Sequence, residues 1–314
     1  MLAEIKIATE MEALNKYKET REKLFNQAGI SPKSNFATVN DSDVKKVHYL
    51  ELGSGKPLIL IHGGLSHSSE WFPMLKQLSN HFHLFVVDRP GHGLTDPINY
   101  TNIDYEKSSI NFIHSFMDSV GLQKASLLGN SMGGYFAICF GMSYPERVDK
   151  LLLIGAPAGM NRWVPLMLRL LGTKGINKLL AKTFAKPSIS NLKMVHRQIL
   201  VASINQLPEV YFENCYHHML LPEVMVAHRT MLENVLTIRG WKAKYYLTDR
   251  LNQLEIPAHF IWGDQDAFEK YDTGLQKAKK IKAYTFKVVE NAGHCPWLDR
   301  PGECSSLIIG KMYE

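Results

Sequence analysis

The sequence predicts an α/β fold in which a mostly parallel sheet is covered by helices on both faces. Three observations predict it. Apolar runs of strand length recur along the chain, Pro57–Ile61 (PLILI) being the clearest, and a strand apolar on both sides is buried on both faces. Stretches with helical spacing alternate with these runs, as a parallel sheet with crossover helices requires. The alternation lapses between Ala158 and Arg250, where no buried strand can be read, so a helical insertion is expected there.

Taken in order, residues 1–30 read as a largely exposed helix. Leu2, Ile5, Met11, Leu14 and Leu24 are spread among many Lys and Glu, and Ser31-Pro32 ends the pattern. Asn35–Asn40 and Lys46–Leu52 read as strands joined by the polar turn Asp41-Ser42-Asp43. Further strands are expected at Phe82–Val87, Ala125–Leu128, Leu151–Ile154, Ala258–Trp262 and Phe286–Val289. Helices are expected at Tyr105–Val120, at Met132–Tyr144 before Pro145, and at about Gly302–Tyr313. The insertion reads as helices Leu166–Leu171, Asn177–Phe184, Met194–Ile204, Val210–His218 and Val224–Ile238. The boundaries that follow are an N-terminal helical extension over 1–34, a core over 35–157 and 251–314, and a helical unit over 158–250.

Composition bounds the function. A chain of 314 residues that is 45% hydrophobic and 21% charged is neither disordered nor of low complexity. A net charge of +6 is far short of a nucleic-acid footprint. The four cysteines, Cys139, Cys215, Cys295 and Cys304, have no CxxC or metal spacing. Glu4, Lys6, Glu10, Glu12 and Lys16 interrupt any apolar leader, and no apolar run approaches the ~20 residues that span a bilayer. A soluble cytoplasmic protein is expected, as a monomer or homodimer. No phosphate-cradling or dinucleotide loop follows a strand, and the adjacent pair His217-His218 presents its rings in different directions on a helix. Neither a cofactor nor a metal is expected.

The chemistry is carried by Gly129-Asn130-Ser131-Met132-Gly133, which leaves a strand and opens a helix. A strained turn there pushes the Ser131 hydroxyl out above the sheet edge, and the crowding needs glycine two positions to either side. The hydroxyl needs a base. His294 follows the last strand in Asn291-Ala292-Gly293-His294 and opens at the same sheet edge. The base needs an orienting acid. Asp266 follows the penultimate strand in Gly263-Asp264-Gln265-Asp266, with Asp264 as its rival. The chain order Ser131, Asp266, His294 is one of the known triad orders. An oxyanion needs two donors, assigned to the N–H groups of Gly64, in His62-Gly63-Gly64 after Pro57–Ile61, and of Met132.

On these motifs, with Asp88-Arg89-Pro90-Gly91-His92-Gly93 and Gly133-Gly134 added, the chain resembles the α/β-hydrolase superfamily, in its cap-bearing serine hydrolase branch. The resemblance covers about residues 45–157 and 251–314. It implies the α/β-hydrolase fold: a mostly parallel sheet flanked by helices, with a helical cap inserted after the sixth strand. It also implies a G-x-x-D acid, which favours Asp266. Relatives with an Asp nucleophile at the elbow are excluded by Ser131.

The expected function is therefore hydrolysis of a small-molecule carboxylic ester through an acyl-enzyme. The enzymatic alternative is hydrolysis of a carbon–carbon bond in a 2-hydroxy-6-oxo-dienoate ring-cleavage product, whose enzymes the elbow Gly129-Asn130-Ser131-Met132 also resembles. Against it, His62-Gly63-Gly64-Leu65-Ser66 lacks the HGGGPG continuation of those enzymes, and Trp297 is displaced from His294 by Cys295-Pro296. The alternative of another class is a ligand-binding receptor that keeps the fold. Asn130, Trp163, Met167 and Trp297 are expected in the substrate pocket. Lys174, Lys178, Lys182 and Lys186 recur every four positions and read as a basic amphipathic cap helix, first of all a solvated face over an apolar seam, with steering of an anionic substrate or contact with an anionic membrane surface as the alternatives.

Overall fold

The structure is a computed structural model. It describes residues 2–161, 164–177 and 187–314, and for residues 2–8 the backbone alone. Its centre is an eight-stranded sheet built from β1 (Lys33–Thr38), β2 (Lys46–Leu52), β3 (Lys56–Ile61), β4 (Phe82–Val87), β5 (Ala125–Asn130), β6 (Val148–Ile154), β9 (Ala258–Gly263) and β10 (Tyr284–Val289). The spatial order is β1-β2-β4-β3-β5-β6-β9-β10. β2 pairs antiparallel with β1 and β4, and every other pairing is parallel.

Continuous apolar strands are needed because both faces are covered. Ile59, Ile61, Leu127, Leu151 and Leu153 enter one core, and Leu58, Leu60, Leu128, Leu152 and Ile154 enter the other. The period of two in this division is the strand pleat. The helix α4 (Met132–Ser143) carries no charged residue because almost its whole circumference is buried. The chain leaves β3 toward β4 and returns on the other side to β5. This is a topological switch point, where open α/β sheets form their ligand crevice.

Between β6 and β9 lie α5 (Leu166–Leu171), α6 (Ile189–Val195), a π-helical turn His196–Leu200, α7 (Glu209–Met219) and α8 (Val224–Val235). Two expectations are corrected here. The helix expected over Met194–Ile204 ends at Leu200, because Val201 is extended. The helix expected to run to Ile238 ends at Val235. Leu236-Thr237 instead pairs antiparallel with Gly240-Trp241, around a Gly240 at φ 110°, a conformation that suits glycine. Most of Asn177–Phe184, with Lys178, Lys182 and Lys186, lies outside the described residues.

The N-terminal helix, α1 (Leu2–Ala28), is less exposed than its composition suggests. Tyr17, Thr20, Arg21, Leu24 and Phe25 are buried and form one helical stripe, disguised by its two polar members. Asn214 Nδ2 on α7 donates to the Tyr17 carbonyl at 3.2 Å and to Thr20 Oγ1 at 3.1 Å, so the extension is tied to the insertion. Among the described residues no helix is long and apolar enough to cross a membrane.

Candidate active site

Ser131 sits between β5 and α4 at φ 49°, ψ −112°, a strained conformation for a side chain with a Cβ. Both flanking glycines are required sterically. A Cβ at Gly133 would lie 2.0 Å from the Ile61 carbonyl oxygen, and one at Gly129 would lie 2.6 Å from that of Gly133. The turn holds because the Ser131 carbonyl accepts from Tyr135 N–H at 3.0 Å and Ala158 N–H at 2.9 Å.

His294 Nδ1 lies 3.0 and 2.9 Å from the two carboxylate oxygens of Asp266. That carboxylate also accepts from the N–H groups of Ala156 and Phe268, both at 2.9 Å. Phe268 stacks on the imidazole with ring centroids 4.0 Å apart. The other ring nitrogen, Nε2, is buried and has no hydrogen-bond partner among the described residues. The geometry separates the two acids. Asp264 accepts from Ala292 N–H at 3.0 Å and ties down the loop that carries His294, whereas Asp266 contacts the base.

Gly64 and Met132 face one another across the cavity. A Cβ at Gly64 would sit in ordinary van der Waals contact with Met132 Cγ at 3.6 Å and His228 Cε1 at 3.8 Å. The Met132 N–H is in the first turn of α4, where helix N–H groups have no intrahelical partner. The loop is fixed from below by the buried Arg89, whose Nε donates to the His62 carbonyl at 2.9 Å and whose terminal nitrogen donates to that of Gly63 at 2.6 Å. Next to it Asp88 accepts from Ser68 N–H at 2.6 Å and pairs with His48 Nδ1 at 2.6 Å. Burial alone would raise the Asp88 carboxyl, but His48, His62 and the Ser68 N–H together outweigh it and hold the group far below the usual carboxylate range.

One cavity joins Gly64, Ser131, Met132 and His294. The pocket residues expected from the sequence fare unevenly. Asn130 lines the cavity, but its amide is spent on the Ile154 and His294 carbonyls at 2.7 and 3.2 Å. Met167 is 54% exposed and does not line it; its neighbour Leu168 does. Trp297 is also no pocket residue. It is fully buried against Trp71, with ring centroids 4.4 Å apart, and donates to the Glu70 carbonyl at 3.1 Å. Trp163 and Arg162 lie outside the described residues. Glu70, Ser66, His196 and Trp241 also line the cavity, and no local motif marks them. No cluster of side chains among the described residues could hold a metal ion.

Several histidines are buried around this centre. Burial pulls His67 and His196 down to about 4, and His62, His92 and His218 well below the ordinary value. Neither ring nitrogen of His92 has a hydrogen-bond partner among the described residues. The unfolded chain, titrating near 6.5, takes up protons first as the pH falls. Stability is therefore complete above about pH 6.5 and is lost progressively as the pH falls, by up to about 3 kcal/mol each toward about pH 4 for His67 and His196. Thermal unfolding followed between about pH 7 and about pH 4.5 should show a falling midpoint; a flat profile would contradict the neutral assignment.

The family model described as "Alpha/beta hydrolase family" matches residues 58–307. A 2-hydroxy-6-oxononadienedioate/2-hydroxy-6-oxononatrienedioate hydrolase of Paraburkholderia phymatum is 32% identical over 259 residues, which is 79% of this chain and 84% of the relative. A 2-hydroxy-6-oxo-6-phenylhexa-2,4-dienoate hydrolase of Comamonas testosteroni is 27% identical over 88% of this chain and 95% of its own length. Among solved structures, carboxylesterase CesB of Bacillus subtilis superposes with a TM-score of 0.74 at 19% identity, covering 95% of this chain and 97% of its own. The 2-hydroxy-6-oxo-6-phenylhexa-2,4-dienoate hydrolase of Rhodococcus sp. strain RHA1 does so with 0.72 at 22%, covering 90% and 100%. The structural likenesses carry the fold; with the sequence matches added, this chain belongs to the alpha/beta hydrolase family, and hydrolysis is the reaction its relatives are named for.

Proposed function

We propose that this chain hydrolyses a bond next to a carbonyl, with Ser131 as nucleophile, His294 as base and Asp266 as the acid that orients the base. The observation that carries the reading is the asymmetry of His294. Both Asp266 oxygens hold Nδ1, while the buried Nε2 has no partner among the described residues, in the cavity that Ser131 also lines. Nε2 takes the hydroxyl proton as Ser131 attacks. The Gly64 and Met132 N–H groups stabilise the oxyanion. His294 returns the proton to the leaving group and then activates water to release the acyl group.

For the bond itself, the named relatives favour carbon–carbon hydrolysis of a 2-hydroxy-6-oxo-dienoate. This reverses the order expected from the sequence, and we rank that reading first. The leaving carbon must take the electron pair of the broken bond, so the 2-hydroxy-diene ketonises before attack. A second reading, ester hydrolysis, is favoured by the cavity wall. No Lys or Arg is among the described residues that line it, and an unpaired carboxylate in a desolvated site costs several kcal/mol. The test compares kcat/KM for short 4-nitrophenyl esters with that for a 2-hydroxy-6-oxo-dienoate. A preference for the dienoate of about tenfold or more is expected; a preference of that size for the ester would overturn the ranking.

A further inference from the structure

Glu70, Tyr211 and His196 form a hydrogen-bonded chain along the cavity wall that the chemistry above does not use. Tyr211 Oη lies 2.9 Å from His196 Nε2 and 3.2 Å from Glu70 Oε1. His196 Nδ1 lies 2.8 Å from the Leu192 carbonyl oxygen, and Ser66 Oγ donates to Glu70 Oε2. Glu70 is 5% exposed, His196 4% and Tyr211 0%. Glu70 comes from the core loop after β3, and the other two come from the insertion.

Where each of these contacts is a hydrogen bond, counting protons fixes the charge of this chain. The Leu192 carbonyl can only accept, so His196 Nδ1 carries a hydrogen. If His196 is neutral, its Nε2 accepts the one hydroxyl proton of Tyr211. The contact between Tyr211 and Glu70 then needs a proton from Glu70, which must be a carboxylic acid. The other solution is an imidazolium at His196, with Tyr211 donating to a Glu70 carboxylate. Both hold one extra proton, and both leave the group with no net charge. Burial of all three groups favours the uncharged first arrangement over the separated charges of the second, and it pushes Glu70 up and His196 down. The other titratable groups facing Glu70 are His294 and Cys295 on the loop after β10 and Cys215 on α7. Burial raises both thiols, so neither adds a charge.

Resting on the reading that this cavity receives the substrate, we propose that Glu70 is a specificity-determining residue, kept as a neutral carboxylic acid by the proton shared along Glu70–Tyr211–His196, so that the cavity admits a carboxylate-bearing substrate only while that proton is retained. A wall with a buried acid and no Lys or Arg among its described residues would otherwise repel the anion. Loss of the proton exposes a carboxylate to the substrate. An anionic substrate is then rejected and a neutral one is not.

The test uses the full chain and two readouts. The first is the ratio of KM for a succinate mono-4-nitrophenyl ester to KM for 4-nitrophenyl butyrate, followed from neutral to alkaline pH. The ratio should rise by up to about tenfold per pH unit above the pKa of the shared proton, and should lose its pH dependence in Glu70→Gln, whose amide copies the neutral acid. The second readout is the infrared carbonyl band of a protonated carboxylic acid. It should be present at neutral pH, be absent in Glu70→Gln, and move to higher frequency in Tyr211→Phe, which removes its hydrogen-bond partner. A flat ratio in the parent protein, or no such band, would overturn the proposal. If neither ester is turned over, the ester reading is what has failed, and the band alone decides the state of Glu70.

Discussion

Ser131→Ala is expected to lower kcat by about 10⁶, the scale on which a triad loses its nucleophile, without lowering the melting temperature. Both halves follow from the elbow. The hydroxyl is the only group removed, and alanine keeps the Cβ that already sits at φ 49°, so no new backbone strain arises. The contacts that hold the turn, from Tyr135 and Ala158 N–H groups, go to the backbone carbonyl of residue 131 and survive the change. Steady-state rates and a thermal melt of the same preparation check it. A residual kcat within about tenfold of the parent would remove Ser131 from the chemistry.

Asp266→Asn should cost about 10⁴ in kcat, the scale of losing the acid that sets the tautomer of the base, while Asp264→Asn should cost far less. The Asp266 carboxylate is surrounded by donors: His294 Nδ1, Ala156 N–H and Phe268 N–H. An amide in its place must turn its own N–H₂ toward at least one of them. Either a backbone donor loses its acceptor or the imidazole is driven to the wrong tautomer. Asp264 uses one oxygen to accept from Ala292 N–H, and asparagine keeps such an oxygen. Side-by-side kcat values decide the matter, and losses in the reverse order would mean that the acid is misassigned.

The parts of the site set by backbone sterics are the ones written in local motifs. Gly129 and Gly133 are glycine because a Cβ would strike backbone atoms, and Asp266 and His294 follow directly from strands β9 and β10 that the apolar pattern marks. The cavity wall is different, since it is made by long-range packing. One residue along a helix turns a side chain by about 100°, which is why Leu168 lines the cavity while Met167 faces away. Trp297 is near His294 in sequence, yet its ring stacks on Trp71 in the core. Glu70 reads locally as a charge in a polar loop, Ser68-Ser69-Glu70. Only the approach of Tyr211 from the insertion turns it into a buried, proton-sharing group. The buried stripe of the N-terminal helix was hidden for a similar reason, because Thr20 and Arg21 are buried with partners and not as apolar residues.

Activation of Ser131 as a nucleophile by His294 is read out by covalent labelling. The parent protein and His294→Ala are treated with a fluorophosphonate, and the adduct is located by peptide mass spectrometry. One adduct is expected in the parent, on Ser131, with its near-complete loss in His294→Ala under the same conditions. An unlabelled parent, an adduct on another residue, or equal labelling of Ser131 in both proteins would contradict it.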